Sequence, residues 1–170
     1  MSRNLKLTLA TLCATLAAAW FITTATELAA SAFGIELPPQ HSLDMILNAR
    51  GQRLAWFVAY VVVLAPIAEE AVFRLLLFKG PLSATRVIMR RPAPTAAAVS
   101  IAVVSSALFS ATHYIEMPFP DNAFAALFAF GLIMCWPYRK TGSIWHPVLL
   151  HILFNGANLA FAFAFPELAK

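Results

Sequence analysis

Two adjacent glutamates and an arginine interrupt a stretch that otherwise has the composition of a membrane helix. Glu69, Glu70 and Arg74 lie within residues 54–78, a run long enough to span a bilayer. Ionised side chains persist there only when they face a protein interior or a wet cavity and have partners. Side chains four residues apart share a helix face, which predicts a structural Glu70–Arg74 ion pair. Glu69 lies about 100° round the helix from Glu70, so we expect it to be free for chemistry. The alternative is that all three only join helices.

Further polar side chains occur in two later apolar runs. His113 is on one of them, and His151 and Asn155, four residues apart and therefore on one helix face, are on the other. A glutamate and a histidine can hold and deprotonate a water, and a histidine and an asparagine can donate hydrogen bonds to an oxyanion. This set predicts peptide-bond hydrolysis by an activated water. One glutamate and two histidines are also the ligand set of a catalytic zinc site, so a zinc-dependent hydrolase stays open.

The composition places these residues in a membrane protein. Of the 170 residues, 61% are hydrophobic and only 12% are charged, and the mean hydropathy is +0.75, so the lipid bilayer is the expected partner. The net charge of +4 does not indicate nucleic-acid binding, because the basic residues fall mainly in loops between spans and form no stripe interleaved with aromatics. Cys13 and Cys135 lie in apolar runs and are predicted to be packing residues.

The hydrophobic pattern predicts an all-α fold, a multi-pass membrane helical bundle of about five transmembrane helices plus an amphipathic connector. The first run follows Arg3 and Lys6 and could be a signal peptide, but its length favours an uncleaved span. We divide the chain into a first transmembrane helix with its loop, residues 1–53, and a catalytic helical core, residues 54–165. The spans are predicted at residues 1–33, 54–78, 95–114, 122–138 and 143–165.

Proline, glycine and charged residues predict the breaks between spans. Pro66 precedes Glu69 by three residues and predicts a kink that opens the helix beside the acids. Residues 79–81, Lys-Gly-Pro, predict the end of the second span, and residues 82–94 a connector on the membrane surface. We also expect a short interfacial helix at residues 42–49 and a tight basic turn at residues 139–142.

The distribution of positive charge predicts the orientation. With five spans, eight Lys and Arg residues fall on one side and three on the other, which predicts a cytoplasmic N-terminus. The two sets are Arg3, Lys6, Lys79, Arg86, Arg90, Arg91, Arg139 and Lys140 against Arg50, Arg53 and Lys170.

These boundaries leave one conflict of depth. At 1.5 Å per residue, Glu69 lies about 22 Å from the outer end of its span and His113 about 27 Å from the inner end of its own. The two must meet if they share a water, so we expect some real helix boundaries to differ by several residues.

Three motifs in order resemble those of a known family. Residues 69–74, EEAVFR, are similar to the EExxxR motif of the CPBP (Abi) intramembrane proteases, relatives of the CAAX prenyl endopeptidase. Residues 109–113, FSATH, resemble their FxxxH, and residues 151–155, HILFN, their HxxxN. Residues 141–147, TGSIWHP, resemble a common family lead-in, and the likeness covers about residues 60–158. Many relatives have more spans, so this chain resembles a near-minimal version.

The resemblance implies residue roles and a location. It implies that Glu69 and His113 activate the attacking water. It implies that His151 and Asn155 stabilise the oxyanion, and that Glu70 and Arg74 support them. Relatives have been called both metalloproteases and metal-independent glutamate proteases, and the oxyanion roles favour the version that requires no metal cofactor. The short chain resembles the bacterial branch, which implies the bacterial inner membrane.

Three functions follow for comparison. The leading one is an intramembrane endopeptidase that acts on a peptide, a prenylated protein or another membrane-anchored protein, as in bacteriocin maturation or C-terminal tail processing. The second is a non-catalytic immunity or binding protein of the same fold, for which we would expect a missing catalytic residue, and none is missing. The third is a proton-coupled transporter or channel, for which we would expect inverted repeats, and the sequence has no evident repeat.

Overall fold

The computed structural model describes residues 3–35, 48–113 and 123–165, and these contain helices and no strand. The predicted all-α fold is therefore confirmed. A single helical run over residues 51–89 contains five segments, two of them π-helical. The elements are α1 (Arg3–Ala32), α2 (Gly51–Ala59), π1 (Tyr60–Leu64), α3 (Ala65–Glu70), π2 (Ala71–Lys79), α4 (Gly80–Met89), α5 (Thr95–Thr112), α6 (Ala123–Thr141) and α7 (Trp145–Ala164).

Three stretches of the described helices are long and apolar enough to cross a bilayer, namely Lys6–Ala32, Thr95–Thr112 and Trp145–Ala164. They correspond to the first, third and fifth predicted spans. The other two predicted spans are helical as well, but π-helical segments divide the second, and the fourth, α6, carries Arg139 and Lys140 in its last turn. The predicted interfacial helix at residues 42–49 lies outside the described residues, except for its last two positions.

The predicted end of the second span at residues 79–81 is wrong. Lys79 and Gly80 both have helical backbone angles, and the Gly80 N–H donates to the carbonyl of Leu75, five residues back. Pro81 stands in the first turn of α4, where a missing N–H is tolerated. The run ends instead at Met89, because Arg90 takes the left-handed conformation with φ 49°.

The predicted basic turn at residues 139–142 is wrong in its first three residues. Helix α6 continues through Thr141, whose hydroxyl donates to the carbonyl of Pro137 at 2.8 Å. The same hydroxyl oxygen accepts a hydrogen bond from the Ser143 N–H at 3.2 Å. Gly142, with φ 68°, then turns the chain toward α7.

The helical run over residues 51–89, called the extended run from here on, packs antiparallel to α5. This packing resolves the conflict between the predicted depths of Glu69 and His113. The Ser105 hydroxyl donates to the carbonyl of Phe73 at 2.9 Å, and the rings of Phe73 and Phe109 meet edge to face at 5.1 Å. Because the second helix continues past residue 78, Phe73 lies level with the middle of α5. Glu69, one turn before Phe73, therefore lies level with the end of α5, where His113 caps the helix.

Small side chains let α5 and α6 approach closely. A Cβ atom added to Gly131 would lie 3.0 Å from the Cβ of Ser106. The buried Ser110 hydroxyl donates to the carbonyl of Phe124 on α6 at 2.8 Å. Close approach through small residues and interhelical hydrogen bonds is the usual packing mode of membrane helices.

Helix α1 packs against α6 and α7 with a polar stripe. Thr8, Thr11 and Thr15 are buried, and the hydroxyls of Thr11 and Thr15 donate to the carbonyls four residues earlier. Cys135 is buried in the packing as predicted, whereas Cys13 is exposed, so the predicted packing role does not apply to Cys13.

The aromatic core packs against the polar side chains of His113, His151 and Arg74. One buried cluster joins the extended run, α5, α6 and α7 and consists of Phe73, Phe109, Phe130, Met134 and Leu150. Phe130 contacts the ring of His151 at 4.6 Å, and Phe109 contacts both histidine rings. These aromatic contacts restrict the rotation of the two histidine rings.

Candidate active site

Glu70 and Arg74 form an ion pair that is sealed from solvent. Both side chains are 0% exposed, Arg74 Nε lies 2.9 Å from Glu70 Oε2, and Arg74 Nη2 donates to Glu70 Oε1 at 3.3 Å. The short Nε–Oε2 contact is not aligned as a hydrogen bond, and Arg74 Nε and Nη1 have no hydrogen-bond partner among the described residues. The Arg74 guanidinium also lies 5.8 Å from the centre of the Phe109 ring. The pair is held by charge and by aromatic contact rather than by complete hydrogen bonding.

His151 connects this sealed pair to Glu69. Its Nδ1 lies 3.0 Å from Glu70 Oε1, and because an ionised carboxylate can only accept, the ring donates through Nδ1. Nε2 consequently points toward Glu69 Oε2, at 3.7 Å. This distance is too long for a direct hydrogen bond, but a water beside the gap can contact both atoms at hydrogen-bonding distance.

The two glutamates differ in access. The Glu69 side chain is 27% exposed, against 0% for Glu70. Glu69 is therefore the more accessible of the two carboxylates. Sequence reasoning missed the contact of Glu70 with His151, because the i, i+4 spacing reveals a partner on the same helix and carries no signal about one on another helix.

His113 lies at the edge of the site. Its Nδ1 donates to the carbonyl of Phe109 at 2.9 Å, which leaves Nε2 as the available nitrogen. Its ring lies 4.8 Å from the Phe109 ring, which in turn lies 6.0 Å from the His151 ring. No contact of the described residues joins His113 to Glu69. The following residues, 114–122, lie outside the described part of the chain.

Asn155 lies one turn after His151 on α7 and contacts backbone. Its Nδ2 donates to the carbonyl of Val61 in π1 at 2.9 Å. An amide nitrogen carries two hydrogens, so one donor of Asn155 remains for another acceptor. Asn158, three residues further on, is exposed.

The arrangement does not present a ready metal site. Within residues 3–35, 48–113 and 123–165, no group of three His, Cys, Asp or Glu side chains has metal-ligand spacing. Glu69 and His151 are close together, but His113 does not join them. The zinc ligand set predicted from the sequence does not fit this arrangement of the described residues, and metal independence stays a prediction.

Comparison with known proteins agrees with the motif resemblance. Residues 51–157 match the family model described as type II CAAX prenyl endopeptidase Rce1-like, which is more than half of the chain and includes all three motifs. Comparisons with curated proteins and with solved structures give no match. The resemblance to the relatives of the CAAX prenyl endopeptidase is thereby confirmed. The chain belongs to the Rce1-like family of type II CAAX prenyl endopeptidases.

Proposed function

We propose that this integral membrane protein is an intramembrane endopeptidase in which Glu69 activates a water for attack on a peptide carbonyl. The observation that carries the proposal is the access of Glu69, a partly exposed carboxylate whose Oε2 faces His151 Nε2 at 3.7 Å beside a sealed ion pair. An accessible base next to an oriented imidazole is the arrangement that general-base hydrolysis requires.

The Glu70–Arg74 pair supports the reaction by orienting His151. Glu70 accepts the Nδ1 hydrogen at 3.0 Å, which determines that Nε2 is the nitrogen presented to Glu69. Carboxylates orient catalytic imidazoles in this way in hydrolases with a histidine base. Arg74 holds Glu70 in place through the buried ion pair, whose closest atoms are 2.9 Å apart.

The reaction adds water across the peptide bond. Glu69 takes one proton from the water while the water oxygen attacks the carbonyl carbon, with His113 Nε2 accepting the other hydrogen of the water. The oxyanion that forms is stabilised by hydrogen bonds from Asn155, through its remaining amide hydrogen, and from His151, through Nε2 when its ring is protonated. Glu69 then transfers its proton to the leaving amine, the C–N bond breaks, and the remaining acid proton passes to the amine, so that a carboxylate and an ammonium group are released.

The substrate we propose is a protein or peptide held at the membrane. The family name points to a prenylated C-terminal tail, and we propose peptide maturation or C-terminal tail processing in a bacterial inner membrane as the process it serves. The N-terminus lies on the cytoplasmic side in this proposal, as the positive charges predict. A zinc-dependent protease and a non-catalytic binding protein are the alternatives that the experiment distinguishes.

The test is cleavage of co-expressed membrane-anchored candidate substrates by wild type, Glu69→Gln and His151→Ala, with and without a chelator. Glu27→Gln is the matched control, because Glu27 is a glutamate on α1, outside the site. We expect cleavage to fall about 100-fold or more in both site variants, and to be unchanged in the control and in chelator. Loss in chelator that zinc restores would favour the metal mechanism, and cleavage that survives Glu69→Gln would refute the role of Glu69.

A further inference from the structure

Pro66 leaves one backbone carbonyl of the extended run without its helical donor. In π1 the hydrogen bonds join residues five apart, and the Ala65 N–H donates to the carbonyl of Tyr60. With the same spacing, residue 66 would donate to the carbonyl of Val61, but proline has no N–H. In a membrane each backbone carbonyl needs a partner within the protein.

The missing donor comes from another helix. Asn155 Nδ2 on α7 donates to the carbonyl of Val61 at 2.9 Å. The next residue, Gly156, also faces π1, because a Cβ atom there would lie 3.7 Å from Val62 Cγ1, in ordinary van der Waals contact. The asparagine amide thus replaces the hydrogen bond that the proline removes.

We propose that Asn155 is a positioning residue that closes the backbone gap at Pro66 and thereby holds Glu69 opposite His151. Pro66 and Glu69 belong to the same short helix, α3, and are three residues apart. On the other side, Asn155 lies one turn from His151 on α7. The contact with Val61 therefore sets the distance between the two helices close to the reacting groups.

This role goes beyond oxyanion stabilisation and rests on the proposed function only for its effect on cleavage. An oxyanion donor acts only on the substrate, so its loss has the same effect whatever residue occupies position 66. A residue that closes the gap at Pro66 becomes dispensable once residue 66 regains an N–H. The dependence of Asn155 on Pro66 therefore separates the two roles.

The test is a double-mutant cycle of thermal stability in detergent, in which tryptophan fluorescence monitors unfolding. It compares wild type, Asn155→Ala, Pro66→Ala and the double variant. We expect Asn155→Ala to lower the Tm by about 2–10 °C, and by less than a third of that shift in the Pro66→Ala background. The matched control is Asn158→Ala, an exposed asparagine on the same helix, which leaves the Tm unchanged. Equal losses in both backgrounds would overturn the proposal.

A second measurement does not depend on Pro66→Ala being able to fold. Hydrogen–deuterium exchange of Asn155→Ala is compared with wild type and with Asn158→Ala. We expect faster exchange at the amides of residues 60–65 and 67 in Asn155→Ala only, because the turn that Asn155 closes opens more often. Exchange as slow as in wild type would contradict the proposal.

Cleavage gives a third readout. We expect Pro66→Ala to restore only the part of the cleavage that Asn155→Ala loses through the open turn, and a double variant no more active than Asn155→Ala would overturn the effect of this contact on cleavage. Tm and exchange need no substrate, so they test this proposal even if the chain cleaves nothing. Absence of cleavage in wild type would refute the proposed function and leave the positioning contact to be decided by stability.

Discussion

Replacing Arg74 by methionine would leave the carboxylate of Glu70 buried without its main counter-charge. Both side chains are 0% exposed and their closest atoms are 2.9 Å apart, so water cannot replace the lost partner. Methionine retains most of the apolar volume, and the variant therefore tests the charge rather than a cavity. Only His151 Nδ1, at 3.0 Å, would still contact Glu70. Removing one partner of such a pair costs about 3–5 kcal/mol.

This loss corresponds to a fall in Tm of about 6–20 °C for a domain of this size. The assay is thermal unfolding in detergent of wild type, Arg74→Met, Glu70→Gln and the double variant. Because the double variant contains neither charge, we expect it to recover at least half of the stability that Arg74→Met loses. Arg86→Met is the matched control, an exposed arginine on α4 that we expect to change stability by less than about 0.5 kcal/mol.

Two results would refute this reasoning. Additive losses in the double variant would show that the charges do not depend on each other, since coupled neighbours deviate from additivity by about 0.5–3 kcal/mol. An Arg74→Met variant as stable as the Arg86→Met control would show that Glu70 is satisfied without the guanidinium.

Two further substitutions test the packing that positions the site. Gly131→Ala places a methyl group 3.0 Å from the Cβ of Ser106, so we expect a loss of about 1–3 kcal/mol, measured as a lower Tm. Gly156→Ala is its control, because the added methyl would meet only Val62 Cγ1, at 3.7 Å. Phe109→Ala removes the fully buried ring between the two histidines, and we expect a loss of about 3–5 kcal/mol together with loss of cleavage. Unchanged stability in Phe109→Ala would contradict the close packing of Phe109 in the aromatic core.

Several features of the site could be predicted because they depend on one helix only. The spacing of Glu70 and Arg74 places them on one face, and the pair forms at 2.9 Å. The separate position of Glu69 round the helix predicts a carboxylate without a local partner, and its side chain is the accessible one. Three motifs in order predicted the family, and the match over residues 51–157 confirms it.

Helix boundaries were harder to predict, because proline and glycine have more than one structural meaning. Residues 79–81 suggested an end, yet the run continues to Met89 since Pro81 stands in the first turn of a new α-helical segment. Thr141 bonds back to Pro137 and extends α6 past the predicted turn. The hydrophobic pattern does not predict the π-helical segments on either side of α3.

Hydrophobic pattern and residue spacing were enough to predict an all-helical membrane protein, the Glu70–Arg74 pair and the set of polar residues available for chemistry. Three contacts between helices could be known only from the folded chain: Glu70 with His151, Asn155 with the carbonyl of Val61, and the Phe109 ring with both histidine rings. The physical reason is the range of the interactions. Spacing along one helix follows from 3.6 residues per turn, whereas contacts between helices depend on where each helix ends and how deeply small residues let them approach.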